Sequence, residues 1–132
     1  MTNLHGRILL SILFLLCFLV QSANVSAFIL QKYRVFIFNG LPNNNNPLQI
    51  RCQSKDDDLG YHNLLMDQNF NWHFRTNFWG TTKFWCHFWW LNKDQADDVF
   101  DSIISLLCYD KTCKWVVKED GFYLNGIKVY EW

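Results

Sequence analysis

The chain has 132 residues, 12 Lys and Arg against 12 Asp and Glu, no net formal charge, and a hydrophobic half. Neutrality without a basic stripe argues against a nucleic-acid partner, and so high an apolar content argues against disorder. Seven Trp among 18% aromatic residues, with five Cys, point to a small ring-filled domain held by disulfides.

The first segment, MTNLHGR, leads into a thirteen-residue apolar run over 8–20, broken only by Ser11, and then to Val25-Ser26-Ala27. A basic start, an apolar run shorter than the ~20 residues that span a bilayer, and a small-x-small exit describe a secretory signal peptide. Residues 1–27 are thus expected to be the leader, cut after Ala27, and residues 28–132 a single domain, since about 105 residues enclose one core and not two. Cys17 leaves with the leader. Cys52, Cys86, Cys108 and Cys113 remain, an even set that reads as two disulfides in an exported domain. Arg7 is the only charge lost, which leaves eleven basic against twelve acidic residues. The one N-x-S/T sequon, Asn24-Val25-Ser26, lies in the leader, so no glycan is expected on the domain. With no second apolar span and no polybasic run, no membrane insertion is expected after cleavage.

In the domain, residues 33–39 (YRVFIFN) are rich in β-formers and predict a first strand. Residues 40–47, with Pro42, Pro47 and four Asn between 43 and 46, predict a solvated loop. Leu48, Ile50 and Cys52 alternate with Gln49, Arg51 and Gln53, a second strand with its cysteine inward. Ser54-Lys55-Asp56-Asp57-Asp58-Leu59-Gly60 follows, then His62. Three adjacent carboxylates lack the every-second-position spacing of a calcium loop, so an Asp-rich turn bonded to its own backbone is expected. No zinc-type Cys or His spacing is present either, and no cofactor is called for.

Residues 70–90 contain two alternating runs. Phe70, Trp72 and Phe74 share one face of the first; Phe84, Cys86, Phe88 and Trp90 share one face of the second, with Trp85, His87 and Trp89 opposite. Residues 92–98 are polar and predict a connection, 100–107 (FDSIISLL) a further strand, and Cys113, Trp115 and Val117 the inward face of another. Residues 121–124 and 127–130 flank Asn125-Gly126, a pair that accepts the positive φ of a type I′ hairpin turn. About eight short strands without a helical period predict an all-β fold, an antiparallel β-sandwich of immunoglobulin-like architecture. Four cysteines allow three pairings, among which the sequence does not choose; Cys52 with Cys113 and Cys86 with Cys108 is the expectation here.

Several stretches resemble the plant self-incompatibility protein homologues, small secreted S-proteins. They are Val35-x-Ile37-x-Asn39, Cys52-x-Ser54-Lys55-Asp56-Asp57-Asp58-Leu59-Gly60-x-His62, and Phe70-x-Trp72-x-Phe74. Asn77-Phe78-x-Gly80-Thr81-Thr82-x-Phe84-x-Cys86-x-Phe88, Phe100-Asp101, Cys113-x-Trp115 and Asp120-Gly121-x-Tyr123 continue in the same order. One departure is the four-residue gap between Cys108 and Cys113, where many relatives place these cysteines closer. The resemblance implies a secreted plant protein with a β-sandwich fold that acts as a signalling ligand, presenting a variable hydrophilic loop to a cell-surface receptor.

Catalysis is not expected, because no nucleophile elbow, HExxH or phosphate loop is present. A hydrolase would have to use His62 with Asp56 or Asp58. Binding is the better class, since Trp is enriched at interface hot spots and loops on a rigid scaffold carry recognition. The candidate binding residues are Trp85 and Trp89 on the outer strand face and Asn92, Lys93, Asp94 and Asp97 in the polar connection, with the loop Asn43 to Pro47 a further candidate. A carbohydrate-binding module stacking sugar on Trp85 or Trp89 is the alternative to a receptor ligand.

Overall fold

The structure, a computed structural model, describes residues 4–29 and 31–132. A helix, α1 (Leu4–Ile29), precedes nine strands among the described residues: β1 (Lys32–Asn39), β2 (Leu48–Gln53), β3 (Asp58–Leu64), β4 (Asn69–Arg75), β5 (Phe84–Trp90), β6 (Lys93–Phe100), β7 (Thr112–Lys118), β8 (Gly121–Leu124) and β9 (Ile127–Tyr130). No described helix is long and apolar enough to cross a membrane. The cut expected after Ala27 falls within α1, where the side chains of residues 20–29 lie outside the described residues, as do residues 1–3.

The strands form two sheets, β4-β1-β7-β8-β9 and β3-β2-β5-β6. Alternation explains how they close on each other. In β2 and β5 every second residue is buried, so Ile50, Cys52, Cys86 and Phe88 face Val35, Ile37, Cys113, Trp115 and Val117 of the other sheet. Two polar groups span the interior. The Trp115 indole N–H donates to the Val99 carbonyl at 2.9 Å across the sheets. Asn39, buried to 1%, donates to the Leu64 carbonyl and accepts from the Leu41 N–H, which ties the end of β1 to the end of β3.

Three expectations change. All strand neighbours are antiparallel except β1 and β7, which pair in parallel from Arg34 with Thr112 to Asn39 with Val117. Five strands intervene between them, and a parallel pair needs such a long crossover connection. Residues 100–107 do not form one strand: β6 ends at Phe100, and Ile104–Leu107 make a 3-10 turn. The cause is Asp101, whose Oδ1 accepts from the Ile103 and Ile104 N–H groups at 2.9 and 2.7 Å and curls the chain. Residues 92–98 are not a loop: β5 returns through Leu91 and Asn92 directly into β6. That segment is polar because β6 is a sheet edge, where charged side chains discourage pairing with other chains.

The cysteine pairing is also corrected. Cys52 bonds Cys86, and Cys108 bonds Cys113. Inward parity was the right reading for Cys52, Cys86 and Cys113, yet parity does not say which sheet a strand joins. Cys52 and Cys86 stand opposite each other on neighbouring strands with Cα atoms 4.0 Å apart. Cys113 lies on the facing sheet, and its sulfur is taken by Cys108, five residues before it and with Cα atoms 4.6 Å apart. Cys108 closes instead onto its near neighbour in sequence. The hairpin at Asn125-Gly126 forms as expected, with φ of 48° and 82°.

Candidate functional site

Strand directions bring the connections to two ends of the sandwich. Residues 54–57, 76–83 and 101–111 gather where β1 begins, and residues 40–47, 65–68, 91–92 and 119–120 gather at the other end. The outer face of the four-stranded sheet joins them along one side.

On that face the six candidate residues separate. Trp89 lies in a ring stack, with His87 at 3.9 Å and Tyr61 at 5.8 Å, and the Arg51 guanidinium sits 5.0 Å over Tyr61. Carboxylates hold both ends of this row. Asp94 bonds the His87 ring, and Asp58 pairs with Arg51 at 2.6 Å. Asp58 also accepts from the Gly60 N–H; the Arg51 bond first and that bond second hold its carboxyl below the ordinary range. Trp89 is therefore built into a wall of rings that offers mainly edges.

Trp85 is different. It projects from the same face but enters no ring pair among the described residues, and it separates two clefts. One, of about 500 Å³, is bounded by Lys83, Ala96, Asp97, Asp98 and Tyr130 at the β6 edge. Here Lys83 reaches Asp98 at 3.3 Å, and Asp97 accepts from Gln95 at 2.5 Å. Burial raises the Asp97 carboxyl, with Asp98 adding to it and the Gln95 bond opposing. Asn92 lies in the turn before β6, and Lys93 is turned away from Trp85, its ammonium 5.5 Å from the Trp90 ring and bonded to the Glu119 carbonyl. Asn92, Lys93, Asp94 and Asp97 thus do not form one recognition loop.

The second cleft, of about 590 Å³, lies between the loops at residues 54–57 and 76–83. Both loops are held by their own polar groups. The Ser54 N–H donates to the Asp57 carbonyl, and the Asp57 N–H returns to the Ser54 hydroxyl. The turn expected from the Asp run is thus present, but Asp58 already begins β3, a strand that the polar composition concealed. In the other loop Asn77 is the hub: its N–H donates to Thr82 Oγ1 at 2.7 Å, and its side chain bonds Thr81 twice at 2.9 Å. Gly80, at φ 68°, turns the tip and leaves Trp79 81% exposed. Trp79, Lys55 and Arg75 were not among the candidates. The available signal was a Trp standing outside any strand alternation beside a Gly.

His62 is engaged by the fold. Its Nε2 lies 2.9 Å from the Leu59 carbonyl, and its ring stacks on Phe70 at 3.8 Å, while Asp58 is engaged by Arg51.

Residues 34–132 match the family described as plant self-incompatibility protein S1. S-protein homolog 1 of Arabidopsis thaliana is 39% identical over 100 residues, which cover 72% of this chain and 64% of that protein. S-protein homolog 21 of the same plant is 33% identical over 102 residues, covering 72% and 74%. The chain thus spans less than two thirds of the first of these relatives. A solved structure of SPH (Self-Incompatibility Protein Homologue) proteins, a widespread family of small, highly stable, secreted proteins from plants, shares the fold at TM-score 0.56 and 15% identity, over 80% of this chain and 94% of that one. With residues 34–132 matching the family and S-protein homolog 1 39% identical over 72% of this chain, the chain belongs to the plant self-incompatibility protein S1 family.

Proposed function

We propose that the protein is exported by its N-terminal leader and acts as an extracellular signalling ligand for a cell-surface receptor. The observation that supports this most is the joining, in a chain of this family, of a leader-like apolar segment to a rigid sandwich whose connections are displayed at its two ends. Loops on such a scaffold vary without disturbing the core and bind without a large ordering penalty. Because residues 93–100 form strand β6, recognition is assigned to the end loops and not to residues 92–98. The protein is read as a binder without enzymatic activity of its own.

The test is saturable binding of the labelled secreted protein to plant plasma-membrane preparations, competed by unlabelled protein. Exchange of residues 40–47, or of 54–57 together with 76–83, is expected to abolish it while thermal stability is kept. Binding that never saturates, or that survives both exchanges, overturns the reading.

A further inference from the structure

We propose that the cleft between residues 54–57 and 76–83 is a binding site for a neutral saccharide, seated against the indoles of Trp79 and Trp85. The proposal goes beyond the receptor reading and does not depend on it.

Four observations lead there. First, one wall is made by Ser54, Lys55, Asp56 and Asp57 and the other by Asn77, Trp79, Thr81 and Thr82, around about 590 Å³. Phe74 and Phe84, with ring centroids 4.6 Å apart, lie beneath. Second, both walls are fixed in advance by the Ser54–Asp57 and Asn77–Thr81–Thr82 bonds, so a ligand need not order them.

Third, the fold makes little use of the groups presented, the Trp79 ring meeting only its neighbour Phe78 edge-on at 5.3 Å among the described ring contacts. Trp79 is 81% exposed on a bonded loop, where an indole gains little from packing. Lys55, Asp56, Asp57 and Arg75 are exposed and make no ion pair among the described residues, whereas Lys83 is already held by Asp98. Fourth, these four charges cancel. A polyanion or polycation meets no net attraction, and a wholly apolar ligand would strip water from four charged groups without replacing it.

A sugar satisfies both kinds of surface. Its ring carries C–H groups on one face that fit an aromatic plane, and its hydroxyls both donate and accept. Carboxylates can accept from adjacent hydroxyls, and Lys and Arg can donate to them. Trp89 is excluded, because His87 and Tyr61 already occupy its surroundings.

The test uses residues 28–132 as secreted. This part is expected to fold alone, because all the buried core residues among the described residues lie between Val35 and Leu124, as do both disulfides. Neutral hexasaccharides of glucose, xylose, mannose and galactose are titrated by calorimetry and tryptophan fluorescence, beside anionic galacturonate and cationic glucosamine oligomers. At least one neutral hexasaccharide is expected to bind. Trp79→Ala and Trp85→Ala should each weaken it about ten-fold, equivalent to about 1.4 kcal/mol, while Trp89→Ala leaves it unchanged. Asp57→Asn, remote from the core, serves as a second variant should Trp85→Ala lose its cooperative melt, and should weaken binding likewise. No binding by any neutral oligomer, binding by charged oligomers alone, equal binding by the three Trp variants, or capture of a peptide in the cleft with no sugar bound would each overturn the proposal. Because no membrane protein is in the titration, its failure leaves the receptor reading untouched.

Discussion

Tyr130 sits at the seam between the sheets, its ring stacked on Trp115 at 5.8 Å and its hydroxyl donating to the Asp98 carbonyl at 3.0 Å. Burial first, and then the negative charge of Asp97, Asp98 and Asp101, pushes its phenol up to about 12. In the unfolded chain a Tyr titrates near about 10. The folded state therefore keeps a proton that the unfolded state has released, so this contribution is whole below about pH 10 and is lost as pH rises toward about 12. Tyr130→Phe should cost about 1 kcal/mol at neutral pH through the lost hydrogen bond, and should flatten the alkaline decline. Denaturant midpoints of both proteins at about pH 8 and about pH 11 check this; an equal alkaline drop in the variant refutes the assignment. None of this was visible in the sequence, where Tyr130 is merely the last residue of a predicted strand. Its proton affinity depends on β6 lying beside β9, a neighbourhood set by the fold.

Among the elements, the β8–β9 hairpin was the most legible, because an Asn-Gly pair between two apolar runs is a local signal that few other structures satisfy. Its two glycines have unlike reasons. Gly126 needs φ 82° but has open space around its α-carbon. Gly121, at φ 151°, lies so close to the Tyr130 carbonyl oxygen that a Cβ would overlap it. Gly126→Ala is expected to cost about 1 kcal/mol and lower the melting temperature by about 5 °C. Gly121→Ala should lower it by at least about twice as much, because backbone must move and not a side chain. Equal shifts in a thermal melt would show that the close approach is not limiting. The elements that escaped sequence reading, β3 and β6, lie at the two edges of one sheet and are rich in Asp and other polar residues. Their sequences obey the demands of an edge more than those of a core, so composition mimicked a loop.

For the whole molecule the two cystines act at different ranges. Cys52–Cys86 closes a separation of 34 residues and joins neighbouring strands, whereas Cys108–Cys113 closes only 5. Loop-closure entropy assigns about 4 kcal/mol to the first and about 2 kcal/mol to the second. The double variant Cys52→Ala/Cys86→Ala should therefore lose roughly twice the stability of Cys108→Ala/Cys113→Ala in calorimetry; the reverse order would show that the hexapeptide loop matters more than its length implies. By itself the amino-acid order determined the β class, the inward faces, the hairpin turn and the even cysteine set, because period-two alternation and turn chemistry are properties of a few adjacent residues. Only the tertiary structure decided that β4 and β5, consecutive in the chain, belong to different sheets, and that β1 lies parallel to β7. It also decided that Cys52 meets Cys86 and that Trp79 and Trp85 border one cleft. Those choices rest on contacts between segments far apart in sequence. Alternation says which way a side chain points, but the partner it meets depends on how two sheets close over a common core.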